Sequence, residues 1–440
     1  MEIAESSLGL QSRLDMRWFR RKQIDLETEL YATDPDYVVY VPTSLKKRKT
    51  TDTGNEHFLV FKDPDDSYMA VWTQSSAEGA KNQRIVFSKA SNDGKTWCVP
   101  KVIAGPKPPK TGNMASWGFP IVSKNGRIYV IYSQHVGIHD SFFHTTGILT
   151  GIYSDDKGKS WSDPQLVSCP RSIYDNPDEK YPTNIIVWQK PLRLVDDKYY
   201  CGFTRWVSKA VRNNPRQNHW TAMESVVEFM RFENIDEDPE VVDLEISYLM
   251  SNEDALKVPH IEYERVSVVQ EPSIVKLPDK RLFCVMRTTT GSPYYTISDE
   301  KGEHWQEPKP LRFRDGGVKI LHPLSPCPIF QISETEFFLL FHNHDGHYKQ
   351  YTPKDTKYHR RPIYILQGEY SADSKQPITF GKPRFLFDHT GRGLGPQKRH
   401  DLAMYASFTQ IGGKNILWYP DRKFFLLGKE IERKTQSLDR

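Results

Sequence analysis

The chain has 440 residues, with 60 Lys and Arg against 56 Asp and Glu, a net charge of +4, and 10 Trp, 22 Tyr and 22 Phe. So large an aromatic and aliphatic share excludes intrinsic disorder. The near-balanced charge makes no case for nucleic acid or an anionic membrane as a partner, which would call for a clustered basic face. The cysteines, Cys98, Cys169, Cys201, Cys284 and Cys327, stand far apart with no CxxC pair. That spacing argues against a disulfide framework and a thiolate zinc site. No apolar run is long enough for a transmembrane helix. The first residues lack the apolar core of a signal peptide, so the expected location is the cytoplasm, or outside it if the N-terminus is incomplete.

In chain order, residues 1–35 read as an N-terminal extension, 36–430 as a single domain and 431–440 as a tail. After an early strand at Tyr37–Val41, three units repeat one grammar. The first has strands at Phe58–Phe61, Tyr68–Thr73 and Arg84–Ser88, then the turn Ala90-Ser91-Asn92-Asp93-Gly94-Lys95-Thr96-Trp97. The second has Phe119–Ser123, Arg127–Tyr132 and Gly147–Tyr153, then Ser154-Asp155-Asp156-Lys157-Gly158-Lys159-Ser160-Trp161. The third has Ser273–Lys276, Arg281–Arg287 and Tyr294–Ile297, then Ser298-Asp299-Glu300-Lys301-Gly302-Glu303-His304-Trp305. In each turn, Ser and Asx side chains bond nearby amides, Gly supplies positive φ, and Trp packs beneath.

Four-stranded meanders with this punctuation are the pattern of an all-β propeller. Trp97 and Trp161 are 64 residues apart, and Trp161 and Trp305 are 144 apart, or two steps of 72. The spacing predicts six blades; seven fit less well. The unmarked blades fall at Ile185–Phe232, Cys327–Phe380 and Leu402–Leu427, with Tyr37–Val41 closing the ring and Asn234–Glu264 an acidic insertion.

The three turns resemble the Asp-boxes of the sialidase superfamily. Gln270-Glu271-Pro272-Ser273-Ile274-Val275, continued by Arg281–Arg287, is similar to the E-P-S stretch of that family. Tyr405-Ala406-Ser407-Phe408-Thr409, followed by Gly412-Gly413 and Leu417-Trp418-Tyr419, resembles the segment holding its nucleophilic tyrosine. The likeness runs over roughly residues 37–427. It implies a tyrosine nucleophile, Tyr405, assisted by Glu271. It also implies a clamp for a sugar carboxylate that includes Arg287 and either Arg360 or Arg361. The family's R-I-P strand is replaced by Asn55-Glu56-His57-Phe58-Leu59-Val60, without an arginine, and the nearest carboxylate for its acid/base aspartate is Glu78. The implied activity is an exo-acting glycosidase on a terminal acidic sugar, without a cofactor and with a glycan as partner.

The residues carry this chemistry on their own terms. A tyrosine with an ordinary pKa near 10 is a weak nucleophile, and a buried glutamate that takes its proton activates it. An arginine at a strand end binds a carboxylate bidentately. A second constellation supports a polysaccharide lyase acting on uronates: His135 or His139 with Tyr132 and Arg205. Histidines recur near strand ends at His57, His135, His139, His144, His342, His344 and His400, a set suited to proton transfer or to a metal, although no spacing matches HExxH. Trp117, Trp188, Trp206 and Trp220 suit sugar stacking or packing between blades. Lys190 and Arg205 suit an anionic pocket. A third reading is a non-catalytic, glycan-binding propeller.

Overall fold

The computed structural model describes residues 25–433 apart from 44–49, 109, 111, 141–145, 213–223, 354, 357 and 404. Its strands form six small antiparallel sheets, which are the six blades of a propeller. The first blade comprises Gly54–Lys62, Tyr68–Ser75, Arg84–Lys89 and Lys101–Ala104, and the second Ala115–Val122, Ile128–Gln134, Ile148–Ser154 and Gln165–Leu166. The third is built from Ile185–Ile186, Leu192–Arg193, Tyr199–Trp206, Ser225–Phe232 and Ile246–Leu249. The fourth has Val269–Lys276, Leu282–Thr288, Tyr294–Ser298 and Lys309–Pro310. The fifth has Ile329–Gln331, Glu336–Phe341, Ile363–Tyr370, Ile378–Phe380 and Arg384–Phe387. The sixth takes Ser407–Ile411, Lys414–Asp421 and Phe425–Glu430, and its outer strand is Tyr37–Tyr40. Pairing of the first strand with the last closes the ring and removes an exposed edge.

The acidic stretch after Phe232 is not wholly an insertion. Its Ile246–Leu249 segment pairs with Ser225–Phe232 and is the outer strand of the third blade. Flanking acidic residues masked a four-residue strand that has no alternation of its own.

Each marked turn is held as its residue types dictate. In the second blade, Asp156 accepts from the Ser160 amide at 2.8 Å and the Ser154 hydroxyl at 2.9 Å. In the fourth, Asp299 rather than Glu300 receives the amides of Lys301 and Glu303, both at 3.1 Å. In the first, Ser91 and Asp93 do this work. The tryptophans lock each blade to the one before it. Trp161 meets Phe87 edge-on at 5.3 Å, Trp305 stacks on Phe229 at 4.5 Å, and Trp97 meets Trp418 at 5.8 Å. Gly158 has φ +80°, and a Cβ there would lie 2.3 Å from the Phe87 ring. Gly158→Ala is therefore expected to destabilise the protein by about 2–4 kcal/mol through overpacking and left-handed strain, read as a lower urea midpoint.

The innermost strands of the first, second and fourth blades begin at Gly54, Ala115 and Val269, each four residues before the alternation predicts. A bulge interrupts the ladder between Glu56 and Leu59, Ser116 and Phe119, and Gln270 and Ser273. At the same offset in each bulge stands a residue with positive φ: His57 at 51°, Trp117 at 60° and Glu271 at 51°. The bulge shifts the two-residue rhythm by one, so the strand cannot be followed by its hydrophobic pattern.

The short helix Leu26–Leu30 packs on the last blade. Its Glu29 accepts from Arg422 and, at 2.8 Å, from Thr390. Residues 1–24 and 434–440, with His144 and Trp220, lie outside the described residues.

Candidate active site

The three bulges and one turn aim four side chains at the axis. Tyr405, φ 61°, directly precedes the innermost strand of the sixth blade. Two of the strained positions are pinned by threonines from the blade before. The Trp117 amide donates to Thr73 Oγ1 at 2.9 Å, and the Glu271 amide donates to Thr204 Oγ1 at 2.7 Å. Non-glycine residues with positive φ persist only where their surroundings hold them, and they cluster at functional sites.

The Tyr405 hydroxyl donates to Glu271 Oε1 at 3.0 Å. The other carboxylate oxygen, Oε2, meets Arg287 Nη1 at 2.7 Å, and Arg287 Nε and Nη2 donate to Gln270 Oε1 at 3.1 and 2.7 Å. His57 stacks on the Tyr405 ring at 4.0 Å and meets Trp117 edge-on, also at 4.0 Å. Trp188 flanks the same ring at 6.0 Å. Lys423 Nζ lies 5.0 Å from the Tyr405 ring centroid and bridges Glu56 at 2.9 Å and Glu78 at 2.8 Å. Arg399 pairs with Glu78, and Arg360 pairs with Asp401 at 3.2 Å.

Burial sets the proton affinities. It raises the Glu271 carboxyl above the ordinary range, with Arg287 and Arg360 opposing. Burial and then the Glu271 charge push the Tyr405 phenol up. The His57 imidazole is held well below its usual value by burial and then by Lys423, so it is neutral. Burial and repulsion from Glu78 raise Glu56, with Lys423 opposing. Burial works against the Lys423 ammonium, but Glu56 and Glu78 outweigh it and hold it charged.

Tyr405 is 4 % and Glu271 1 % exposed, so the pair is covered. A narrow cleft lined by Gly54, Leu394 and Gly395 reaches Glu56, Glu78 and Lys423 from solvent. The loop beside it is fastened through Arg399 to the Glu78 carboxylate and through Gln397 Nε2 to the Glu78 carbonyl at 3.0 Å.

Of the residues singled out from the sequence, Tyr405, Glu271, Arg287, His57 and Trp117 meet directly, and Glu78 joins them through Lys423. Arg360 lies near Glu271, whereas Arg361 is held bidentately by Asp388 at 2.8 and 2.6 Å. Arg205 is enclosed by Asp175 at 2.8 Å and Glu228 at 3.0 Å, fully buried, and no open guanidinium is left for a uronate. Lys190 donates to the carbonyls of Val60 and Phe408 at 2.7 and 3.3 Å, away from the dyad.

Among the described residues, the histidines do not converge as a ring. His342 is fixed between the Pro362 carbonyl at 2.9 Å and the Ser325 hydroxyl at 2.8 Å. His344 bonds the Arg361 carbonyl at 3.2 Å. His135 Nδ1 accepts the Gly137 amide at 3.1 Å, and His139 is exposed. Among the described residues, no group of three or more His, Cys, Asp or Glu is placed to hold a metal. Glu56, Lys423 and Arg399 were not foreseen. Glu56 hides beside a bulge, and the other two sit in irregular segments with no periodic signal.

A family model described as the BNR repeat-like domain matches residues 66–322, more than half of the chain. No curated protein matches the sequence. Among solved structures, the intramolecular trans-sialidase of Ruminococcus gnavus, crystallised with oseltamivir carboxylate, is 12 % identical with a TM-score of 0.58, over 87 % of this chain and 95 % of that one. The NanB sialidase of Streptococcus pneumoniae is 11 % identical with a TM-score of 0.58, over 90 % of this chain and 71 % of that one. A protein of unknown function from Dyadobacter fermentans is 13 % identical with a TM-score of 0.57, over 90 % and 96 %. At these identities the likeness is one of fold. With six blades, turn-locking tryptophans and a family match across more than half its length, the chain belongs to the BNR repeat-like domain family, and its six-bladed propeller resembles those of the sialidases in fold.

Proposed function

We propose that the protein is a sialidase-like exo-glycosidase that removes a terminal acidic sugar from a glycan. The observation that carries this reading is the 3.0 Å hydrogen bond from the Tyr405 hydroxyl to Glu271, two residues from different blades brought together on the axis. Tyr405 attacks the anomeric carbon as its proton passes to Glu271. The glycosidic C–O bond breaks, and its oxygen takes a proton from Glu78, at the cleft, which is protonated only once Arg399 has released it. Water then attacks the glycosyl-tyrosine carbon, giving its proton to the same carboxylate, and Tyr405 regains its proton from Glu271. Arg287 and Arg360 stand beside the dyad, and each would meet a sugar carboxylate by exchanging its present carboxylate partner, Glu271 or Asp401, for it. Substrate entry requires that Arg399 and Gln397 release Glu78. The lyase reading needs an arginine to neutralise a uronate, and Arg205 is already held by two carboxylates.

The test is release of nitrophenol from a panel of aryl glycosides that includes sialic and uronic acid donors. Turnover by wild type and none by Tyr405→Phe is expected; no turnover by wild type across the panel overturns the proposal. The acid limb of the pH–rate profile is expected above the ordinary glutamate value of about 4.3, because burial raises Glu271 and the base must be ionised. Glu271→Gln is expected to remove that limb along with most of the rate.

A further inference from the structure

The innermost strands run on past the dyad to a second cavity, of about 220 Å³. Glu56, before His57, lines the cleft, whereas Leu59, after it, lines this cavity. Ile274 follows Glu271, and Ala406 to Phe408 follow Tyr405, into the same lining. The cavity therefore lies on the axis, on the far side of the Tyr405 and Glu271 layer from the cleft. Its walls come from five blades and are largely apolar: Leu59, Leu192, Ile274, Ile329, Phe330 and Phe408. The last two stack at 5.3 Å.

Lys190 is the one titratable side chain in that lining. Its ammonium donates to the carbonyls of Val60 at 2.7 Å and Phe408 at 3.3 Å. Among the described residues no carboxylate stands within ion-pair reach of it. The charged group that acts on it is another cation, Lys62 of the first blade, itself paired with Asp66 at 3.1 Å. The second blade lends nothing to the lining, and the fourth, fifth and sixth lend no titratable side chain. Burial, with Lys62, lowers Lys190 to about 8. An ammonium that keeps its charge in apolar surroundings without a counter-ion is costly, and a bound anion relieves that cost.

We propose that this cavity is a binding site for a small apolar carboxylate, whose charged end pairs with the Lys190 ammonium while its hydrocarbon or ring lies between Phe330, Phe408 and Ile329. At about 30 Å³ per water, the volume holds about seven waters, which matches an acid the size of hexanoate or benzoate rather than a long-chain lipid. The proposal is independent of the glycosidase reading, because none of these residues takes part in the proposed chemistry.

The experiment titrates the full chain with hexanoate, benzoate and hexanol by calorimetry and saturation-transfer NMR at pH 7.0 and pH 10. Both acids are expected to bind wild type at pH 7.0 and to bind at least tenfold more weakly at pH 10, where the ammonium is lost, while hexanol is unchanged. Lys190→Met is expected to lose the acids at least tenfold and keep hexanol, which reports that the cavity is intact. If that variant does not fold, the wild-type pH pair decides. Wild type that binds neither acid, acids that bind equally at both pH values, or a folded Lys190→Met that holds them as tightly as wild type each overturn the proposal.

Discussion

Tyr405→Phe is expected to lower kcat/KM by on the order of 10³-fold or more for any glycoside the protein turns over, with the folded structure kept. The change removes one oxygen and nothing of the ring that His57 and Trp188 contact at 4.0 and 6.0 Å. Glu271 loses one hydrogen bond but keeps the Arg287 ion pair at 2.7 Å. The stability loss is therefore that of one buried hydrogen bond, about 1–3 kcal/mol. Steady-state kinetics together with a urea melt separate the two effects. A rate that falls only in proportion to folded protein would place Tyr405 in the packing and not in the chemistry.

The largest loss of stability is expected at Arg205, away from the dyad. Its guanidinium is 1 % exposed and neutralises Asp175 and Glu228 together, with oxygens at 2.8 to 3.0 Å. Arg205→Leu leaves two buried carboxylates facing each other. Removing one partner of a buried ion pair costs about 3–5 kcal/mol, and here the uncompensated charges are doubled. Much of that loss is expected to return in the triple variant Arg205→Leu, Asp175→Asn, Glu228→Gln, because the penalty belongs to the stranded charges rather than to the missing arginine. Urea unfolding of the single and triple variants measures it. Equal destabilisation of both would contradict this reading.

The ring was legible because its punctuation is local. Asp156, Gly158 and Trp161 act within one turn and repeat with the blade, so their spacing carries the blade number. Tyr405, Glu271 and Arg287 were legible by likeness to a known family, and Arg287 also by its place at a strand end. The bulges were not legible. A strand that turns to positive φ at His57, Trp117 and Glu271 loses its alternation at the point where it delivers a side chain to the axis. Arg360 and Arg361 are adjacent in sequence, and only the fold distinguishes the one near Glu271 from the one held by Asp388. Arg205 read as a pocket cation because its two acidic partners lie 30 residues before and 23 after it. Glu56, Lys423 and Arg399 form a charge network whose members come from opposite ends of the chain, so no window of sequence contains it.

The proposed chemistry stands or falls on Tyr405 as the group that meets the sugar. The most direct measurement is peptide mass mapping after incubation with a fluorinated glycosyl fluoride, whose glycosyl-enzyme is slow to hydrolyse. One glycosyl adduct is expected, on the peptide containing Tyr405, and none on the Tyr405→Phe variant. An adduct on Glu78, Glu56 or another side chain, formed equally by both proteins, would contradict it.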